Sequence, residues 1–244
     1  MNSDPSSPSS SSSSHPYQVL TSRGTILARH VVHANNAFAP RLIPGLKGKM
    51  SGFLAHMSSQ RPGGDLPDLD GRRSWSVMYD GNMFDYVTQR PSEGGRPGDL
   101  LLGGGFSRSS EQGIDAVGVF DDSRVDALPS AHLFGIFPAI FEPRWGSSGS
   151  VAAAAKRVWT GIVALTGDMR PFVGRLDKRL TERDAAAAGS PVAGKGAVGS
   201  SPGEWVSAGY CGDGMVWAWL CGTALGKMVL GEEVEWFPPE LGLV

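Results

Sequence analysis

The sequence predicts an α+β fold built on a largely antiparallel sheet with flanking helices. Three observations predict it. Most stretches with strand character are joined by short turn signals, the clearest being Asp80-Gly81 between Ser74–Tyr79 and Asn82–Arg90. No run of strand–helix–strand units occurs, as a parallel sheet would require. The one long apolar run, Val216 to Leu230, comes late and directly follows a short strand and a glycine-punctuated turn.

Composition sets the bounds. A chain of 244 residues with 41% apolar content can hold one large or two small domains with an ordinary core, and a net charge of −2 offers nothing to nucleic acid. The 34 glycines and 17 prolines imply many turns and inserts. Cys211 and Cys221 are too few for a disulfide framework and fit a reducing, cytoplasmic compartment. Residues 1–16 are mostly serine and proline without a basic or apolar segment, which reads as a disordered leader and not a secretory signal. Met215 to Leu230 is shorter than the roughly 20 residues of a spanning helix. It carries Lys227, and Ala218, Gly222 and Gly226 repeat on one face, so it is expected to pack that face on a sheet.

In chain order, Tyr17–Leu20 and Thr25–Ala28 flank the hairpin signal Thr21-Ser22-Arg23-Gly24, and His30–Ala34 reads as a short buried strand running into a turn or helix start at Asn35–Pro40. Met50–Ser59 alternates Phe53, Ala55 and Met57 with Gly52, Leu54 and His56, and Arg61–Gly71 is a loop. After the Asp80-Gly81 hairpin, Leu100–Leu102 forms a further strand that stops at Gly103-Gly104-Gly105. Asp121–Phe141 is helical, interrupted by Pro129 and Pro138, with Asp122 or Ser123 as cap and Val125, Leu128, His132 and Leu133 on one stripe. Lys156–Thr166 alternates as a strand, turns at Gly167-Asp168 and pairs with Pro171–Gly174. Thr181–Pro202 is a low-complexity insert, Val206–Tyr210 a strand, and the chain closes in an acidic tail.

Gly194-Lys195-Gly196-Ala197-Val198-Gly199 matches Gly-x-Gly-x-x-Gly, but it follows no strand and opens no helix, so its context fails for dinucleotide binding. His15, His30, His33, His56 and His132 have no metal-ligand spacing, and no metal site is expected. The turn Gly209-Tyr210-Cys211-Gly212-Asp213-Gly214-Met215 is the chemically suggestive stretch. It opens a helix, whose first N–H groups are unpaired and whose dipole is positive there, and its glycines let a flat or phosphorylated ligand touch backbone. A plain strand–turn–helix connection has the same local sequence.

Several separated stretches share one resemblance. They are His30-Val31-Val32-His33-Ala34-Asn35-Asn36-Ala37-Phe38-Ala39-Pro40 with Leu46–Met50, Asp85–Pro91 with Leu101–Gly105, Trp159-Thr160-Gly161-Ile162 with Thr166–Gly174, and Gly209–Met215. In this order they resemble the C-terminal half of the FAD-dependent oxidoreductases of the D-amino-acid oxidase superfamily, in its glycine, sarcosine and gamma-glutamylputrescine oxidase branch with fungal relatives. The resemblance covers roughly residues 17 to 231 apart from the inserts.

The resemblance implies the following parts. Residues 17–49 are the returning part of an incomplete FAD-binding domain, 50–155 a substrate domain, 156–231 a strand pair, the insert (181–202) and the flavin-contacting turn with its final helix, and 232–244 a tail. Flavin contacts fall on Ala34, Asn35, Gly161, Ile162, Gly209, Tyr210, Gly212, Gly214 and Met215. Arg90 and Arg170 are candidates for a substrate carboxylate, since arginine makes a bidentate fork, against the plainer reading of both as solvated surface arginines. Trp159 is either a wall of the flavin or substrate site or a core residue. Some relatives attach FAD through a cysteine seven positions before the aspartate matched by Asp168; that position is Gly161 here, which implies non-covalent FAD. The expected activity is oxidation of a C–N bond of an amine or amino acid, with electrons passed through flavin to oxygen. The family's ADP-binding strand, turn and helix find no match in these residues, so little activity is expected of this chain alone. The reading is thus the C-terminal portion of such an oxidoreductase; the alternatives are a non-enzymatic interaction module or one chain of a split flavoenzyme whose partner supplies the ADP-binding half. Neither a nucleic-acid nor a membrane partner is expected.

Overall fold

A computed structural model describes residues 17–79, 83–146, 155–183 and 199–242. They form two compact units: one comprises residues 51–163, the other the residues up to Met50 and from Ala164 onward.

The 51–163 unit is built on a sheet in the order β5-β6-β7-β4-β8. Its strands are β4 (Met50–Gln60), β5 (Ser74–Met78), β6 (Phe84–Gln89), β7 (Leu100–Gly104) and β8 (Ala155–Thr166), the first and last of which continue into the other unit. The β5–β6, β6–β7 and β7–β4 pairs are antiparallel. Period-2 alternation dictates the faces. Along β4 every even-numbered residue from Met50 to Gln60 is buried, and along β6 the buried residues are Asp85, Val87 and Gln89. The expected turn at Asp80-Gly81 lies outside the described residues, but the Tyr79 N–H donates to the Met83 carbonyl at 2.8 Å and closes the hairpin.

Two short helices, α1 (Ala127–Gly135) and α2 (Phe137–Phe141), contribute Leu133 and Phe137 to a core that also holds Val87, Leu100 and Leu102. Gln60 Nε2 donates to the Leu133 carbonyl at 2.7 Å, so the polar end of β4 is satisfied where it meets α1. The helical region starts later than its sequence suggests. Ser123 donates from Oγ and N–H to Asp121 Oδ1 in a local turn, and Asp126 occupies the position before α1. Pro129 falls in the first turn of α1, where no N–H is required, so the helix survives it. Val125 and Leu128 are exposed, and the buried stripe is Pro129, Ser130 and Leu133.

The other unit contains the hairpin β1 (Tyr17–Thr21) and β2 (Gly24–Ala28) and a three-stranded sheet ordered β3-β10-β9. In that sheet β10 (Gly203–Ala208) lies between β3 (His30–His33), to which it is parallel, and β9 (Phe172–Arg175), to which it is antiparallel. All six residues of β10 are buried. Two expectations are corrected here. Phe172–Arg175 pairs with β10 and not with the preceding strand β8, because the turn at Thr166–Arg170, closed by the Thr166 hydroxyl on the Arg170 carbonyl, delivers Val173 to the core beside Trp205. β3 is an edge strand, so only His33 is buried and Val32 stays 49% exposed.

A one-turn helix, α3 (Lys178–Thr181), follows β9, with the Asp177 side chain accepting from the Leu180 N–H at its start. The long helix α4 (Gly214–Leu230) ends on Gly231 in the left-handed region, φ 76°, the conformation glycine adopts freely after a helix. Its buried stripe is Cys221, Ala224 and Leu225, which join Val173 and Trp205. The expectation that Ala218, Gly222 and Gly226 face the sheet is overturned: all three are exposed, and a methyl group at Gly222 or Gly226 would meet nothing within 4 Å. The spacing by four was real, but the bulkier stripe beside it buries more apolar surface. The acidic tail is not loose either, since Phe237 and Leu241 complete the same core. Within the insert, residues 184–198 lie outside the described residues, and with them all but the last glycine of the Gly-x-Gly-x-x-Gly match. Among the described residues no helix is long and apolar enough to cross a membrane.

Candidate functional site

The turn from β10 into α4 is held from behind by residues distant in sequence. Gly209 has φ 86° and its N–H donates to Asn36 Oδ1 at 2.9 Å. A Cβ at Gly209 would lie 2.7 Å from Thr166 Cγ2 and 3.2 Å from Met50 Cε, so both the backbone angle and the space require glycine. Asn36 itself has φ 44°, a conformation asparagine tolerates better than most residues. The Thr166 N–H donates to Cys211 Sγ at 3.4 Å, and Cys211 Sγ lies 3.3 Å from the Gly209 carbonyl, to which its thiol donates. Tyr210 shares a hydrogen bond with Ser207 at 2.7 Å, and burial raises its phenol above the usual range.

This bracing leaves the front of the turn open. Gly212 has φ 91° and is exposed, the Gly214 and Met215 N–H groups meet no acceptor among the described residues, and the Met215 side chain is fully exposed. These N–H groups form the positive end of a 17-residue helix. On the β3 side Ala34 is exposed, while Asn35 Oδ1 is buried without a hydrogen-bond partner among the described residues.

Five predicted flavin contacts, Gly209, Tyr210, Gly212, Gly214 and Met215, thus lie on one turn, which Asn36 ties to the segment carrying Ala34 and Asn35. Arg170 is exposed in the turn before β9. Gly161, Ile162 and Trp159 lie on β8 in the 51–163 unit, where Gly161 has open space at its Cβ and Trp159 is 40% exposed, so it is no core residue. Arg90 is exposed at the end of β6 in the same unit. Sequence reasoning passed over Asn36 and Thr166. The Asn-Asn pair before a 3-10 turn was a signal for a left-handed residue, but nothing local links it to Gly209.

Two buried polar clusters brace the units. In one, Glu204 accepts from His33 Nε2 at 2.9 Å and from Arg183 Nε at 2.9 Å and Nη2 at 2.5 Å. Burial alone would raise the Glu204 pKa, but these donors hold it down to about 2. In the other, Asp85 accepts from the Tyr79 hydroxyl, from His132 Nε2 at 2.6 Å and from the Gly105 N–H at 2.8 Å. Burial opposes the Asp85 charge, yet these bonds leave its pKa below the ordinary value. Among the described residues no three His, Cys, Asp or Glu side chains are grouped to hold a metal.

This α+β architecture is that of solved oxidases and dehydrogenases. It matches glycine oxidase from Geobacillus kaustophilus with a TM-score of 0.57 at 19% identity, over 91% of this chain and 47% of that one. Iminodiacetate oxidase from Chelativorans sp. BNC1 matches with a TM-score of 0.56 at 17% identity, over 91% and 48%, and L-proline dehydrogenase from P. horikoshii with 0.54 at 19%, over 89% and 47%. The family model of the FAD dependent oxidoreductases, DAO, matches residues 11–228, and the chain belongs to that family. It spans just under half the length of these solved structures. No curated protein matches the sequence.

Proposed function

We propose that this chain is the substrate-facing half, with the flavin-edge turn, of an FAD-dependent enzyme that oxidises a C–N bond of an amine or amino acid. The observation that carries the reading is the braced turn at Gly209–Met215, whose open helix N-terminus is suited to an electron-rich ring edge. FAD, when bound, supplies two-electron oxidation of a carbon beside nitrogen. The residues present fit it: the Gly214 and Met215 N–H groups would donate to a carbonyl edge, Asn35 Oδ1 would accept from a donor of the group, and Gly212 would admit a flat group to the backbone. The resemblance assigns further flavin contacts to Gly161 and Ile162 on β8, where Gly161 has open space at its Cβ and Trp159 is exposed. Attachment is non-covalent, since Gly161 offers no thiol and Cys211 Sγ is engaged within its own turn.

Glycine, L-proline and iminodiacetate, named for the solved structures of the same fold, each join an amine nitrogen to a carboxylate. A substrate of that class suits Arg170, whose exposed guanidinium can fork onto a carboxylate. In this reading residues 17–49 and 156–231 serve the flavin and 50–155 the substrate. The two free cysteines suit a reducing, cytoplasmic setting.

Alone, these residues hold FAD weakly and turn over little, because the pyrophosphate and ribose contacts come from the family's ADP-binding segment, which they do not match. That segment covers the outer face of α4, where Met215, Val216, Trp219 and Leu220 are exposed beside Gly222 and Gly226. The test is to purify the chain, record its flavin absorbance and assay peroxide formation with glycine and L-proline. Mixing with a chain that carries a nucleotide-binding half should then raise flavin content. Stoichiometric flavin and turnover by the chain alone would refute the dependence. No flavin uptake even in the mixture would refute the enzyme reading and leave an interaction module.

A further inference from the structure

The 51–163 unit carries a polar cleft of about 740 Å³, large enough for a small-molecule ligand, that none of the predicted flavin contacts lines. Arg61 lines it from the end of β4, Arg90 and Arg96 from the loop between β6 and β7, and Lys156 from β8. The loop is not a loose connection. Glu93 and Arg96 exchange N–H to carbonyl bonds at 3.1 Å, and the Arg90 N–H donates to the Asp99 carbonyl at 2.9 Å. Where it turns back, Gly98 is buried so tightly that a Cβ would lie 1.9 Å from the Arg90 carbonyl oxygen. Pro62, Pro91 and Pro97 stiffen the walls further.

The charges are unevenly matched. Lys156 Nζ is paired with both oxygens of Asp99, at 2.6 and 2.8 Å, so that pair is internally neutral. Glu93 is then the remaining acid of the lining. Arg61, Arg90 and Arg96 have no side-chain hydrogen bond, ion pair or ring contact among the described residues. Three guanidinium forks lining one concavity can each pair with two oxygens of a carboxylate or phosphate.

We propose that this cleft binds a small, multiply charged anion of the phosphate or carboxylate class, with Arg90 and Arg96 as its principal contacts. Arg90 then serves this cleft, which leaves Arg170 as the substrate arginine.

The purified full chain would be titrated calorimetrically with pyrophosphate and, separately, with citrate, at low ionic strength. Saturable one-to-one binding of at least one probe is expected, weakened about tenfold or more when Arg90→Gln and Arg96→Gln are combined. The variant Arg23→Gln, which removes one exposed positive charge outside the cleft lining, should bind within about twofold of the parent, because the guanidinium forks of the lining and not net charge carry the binding. Binding of pyrophosphate alone assigns the cleft to phosphates, and of citrate alone to carboxylates. No saturable binding of either probe, or equal weakening by Arg23→Gln, would overturn the proposal. The Arg90 and Arg96 side chains make no hydrogen bond or ion pair among the described residues, so an unchanged thermal midpoint without anion verifies that the double variant is folded.

Discussion

Replacing Glu204 by glutamine tests the polar clasp that ties β3 and β10 to Arg183. The carboxylate is 6% exposed and accepts three hydrogen bonds, two of them from a guanidinium that also donates to the Leu42 carbonyl at 2.8 Å. Its pKa falls from 4.5 to about 2. At about 1.4 kcal/mol per unit the shift corresponds to roughly 3 kcal/mol, and the 44% exposure of Arg183 to solvent reduces this to about 2 kcal/mol. Because the folded-state pKa is depressed, the stabilisation is complete above pH 4.5 and is lost as the pH falls towards 2. Urea denaturation of the parent and Glu204→Gln chains should therefore differ by about 2 kcal/mol at pH 7, a shift of about 4–8 °C in melting temperature for a chain of this size. The two curves should converge near pH 2. Equal stability at pH 7, or a difference that persists unchanged from pH 6 to pH 2, would refute the role assigned to the clasp.

Three further outcomes follow from the geometry. Gly209→Ala places a Cβ 2.7 Å from Thr166 Cγ2 at φ 86° and should cost about 2 kcal/mol or more, read from the urea midpoint. Gly222→Ala, with nothing within 4 Å of the new methyl, should instead raise helix stability by about 1 kcal/mol in the isolated chain, while weakening assembly with a chain that covers α4. Asp85→Asn should cost about 2 kcal/mol and couple strongly to His132→Gln in a double-mutant cycle, because both changes remove the same 2.6 Å bond.

Much of the sheet was legible because its information is local. The alternation along Met50–Gln60 and the hairpin between Ser74–Met78 and Phe84–Gln89 follow from side-chain period and turn geometry, which neighbouring residues dictate. The glycine turn at Gly209–Met215 was legible for the same reason, since the positive φ of Gly209 and Gly212 is a local demand. The pairing of β9 was not legible, since choosing β10 over β8 depends on which core accepts Val173. The outward face of α4 was misread for a related reason. Its apolar residues run nearly all round, so periodicity alone does not decide which stripe is buried.

By itself the sequence determined the α+β class, the positions of most strands and the glycine turn that opens the final helix. Each of these rests on backbone conformation, on which adjacent residues act directly. The tertiary structure decided that Asn36 braces Gly209 from 173 positions away, that Asn35 keeps a buried acceptor unpaired among the described residues, and that Arg61, Arg90 and Arg96 line one cleft. Those facts depend on contacts between segments far apart in the chain, and such contacts exist only once the core has settled which faces turn inward.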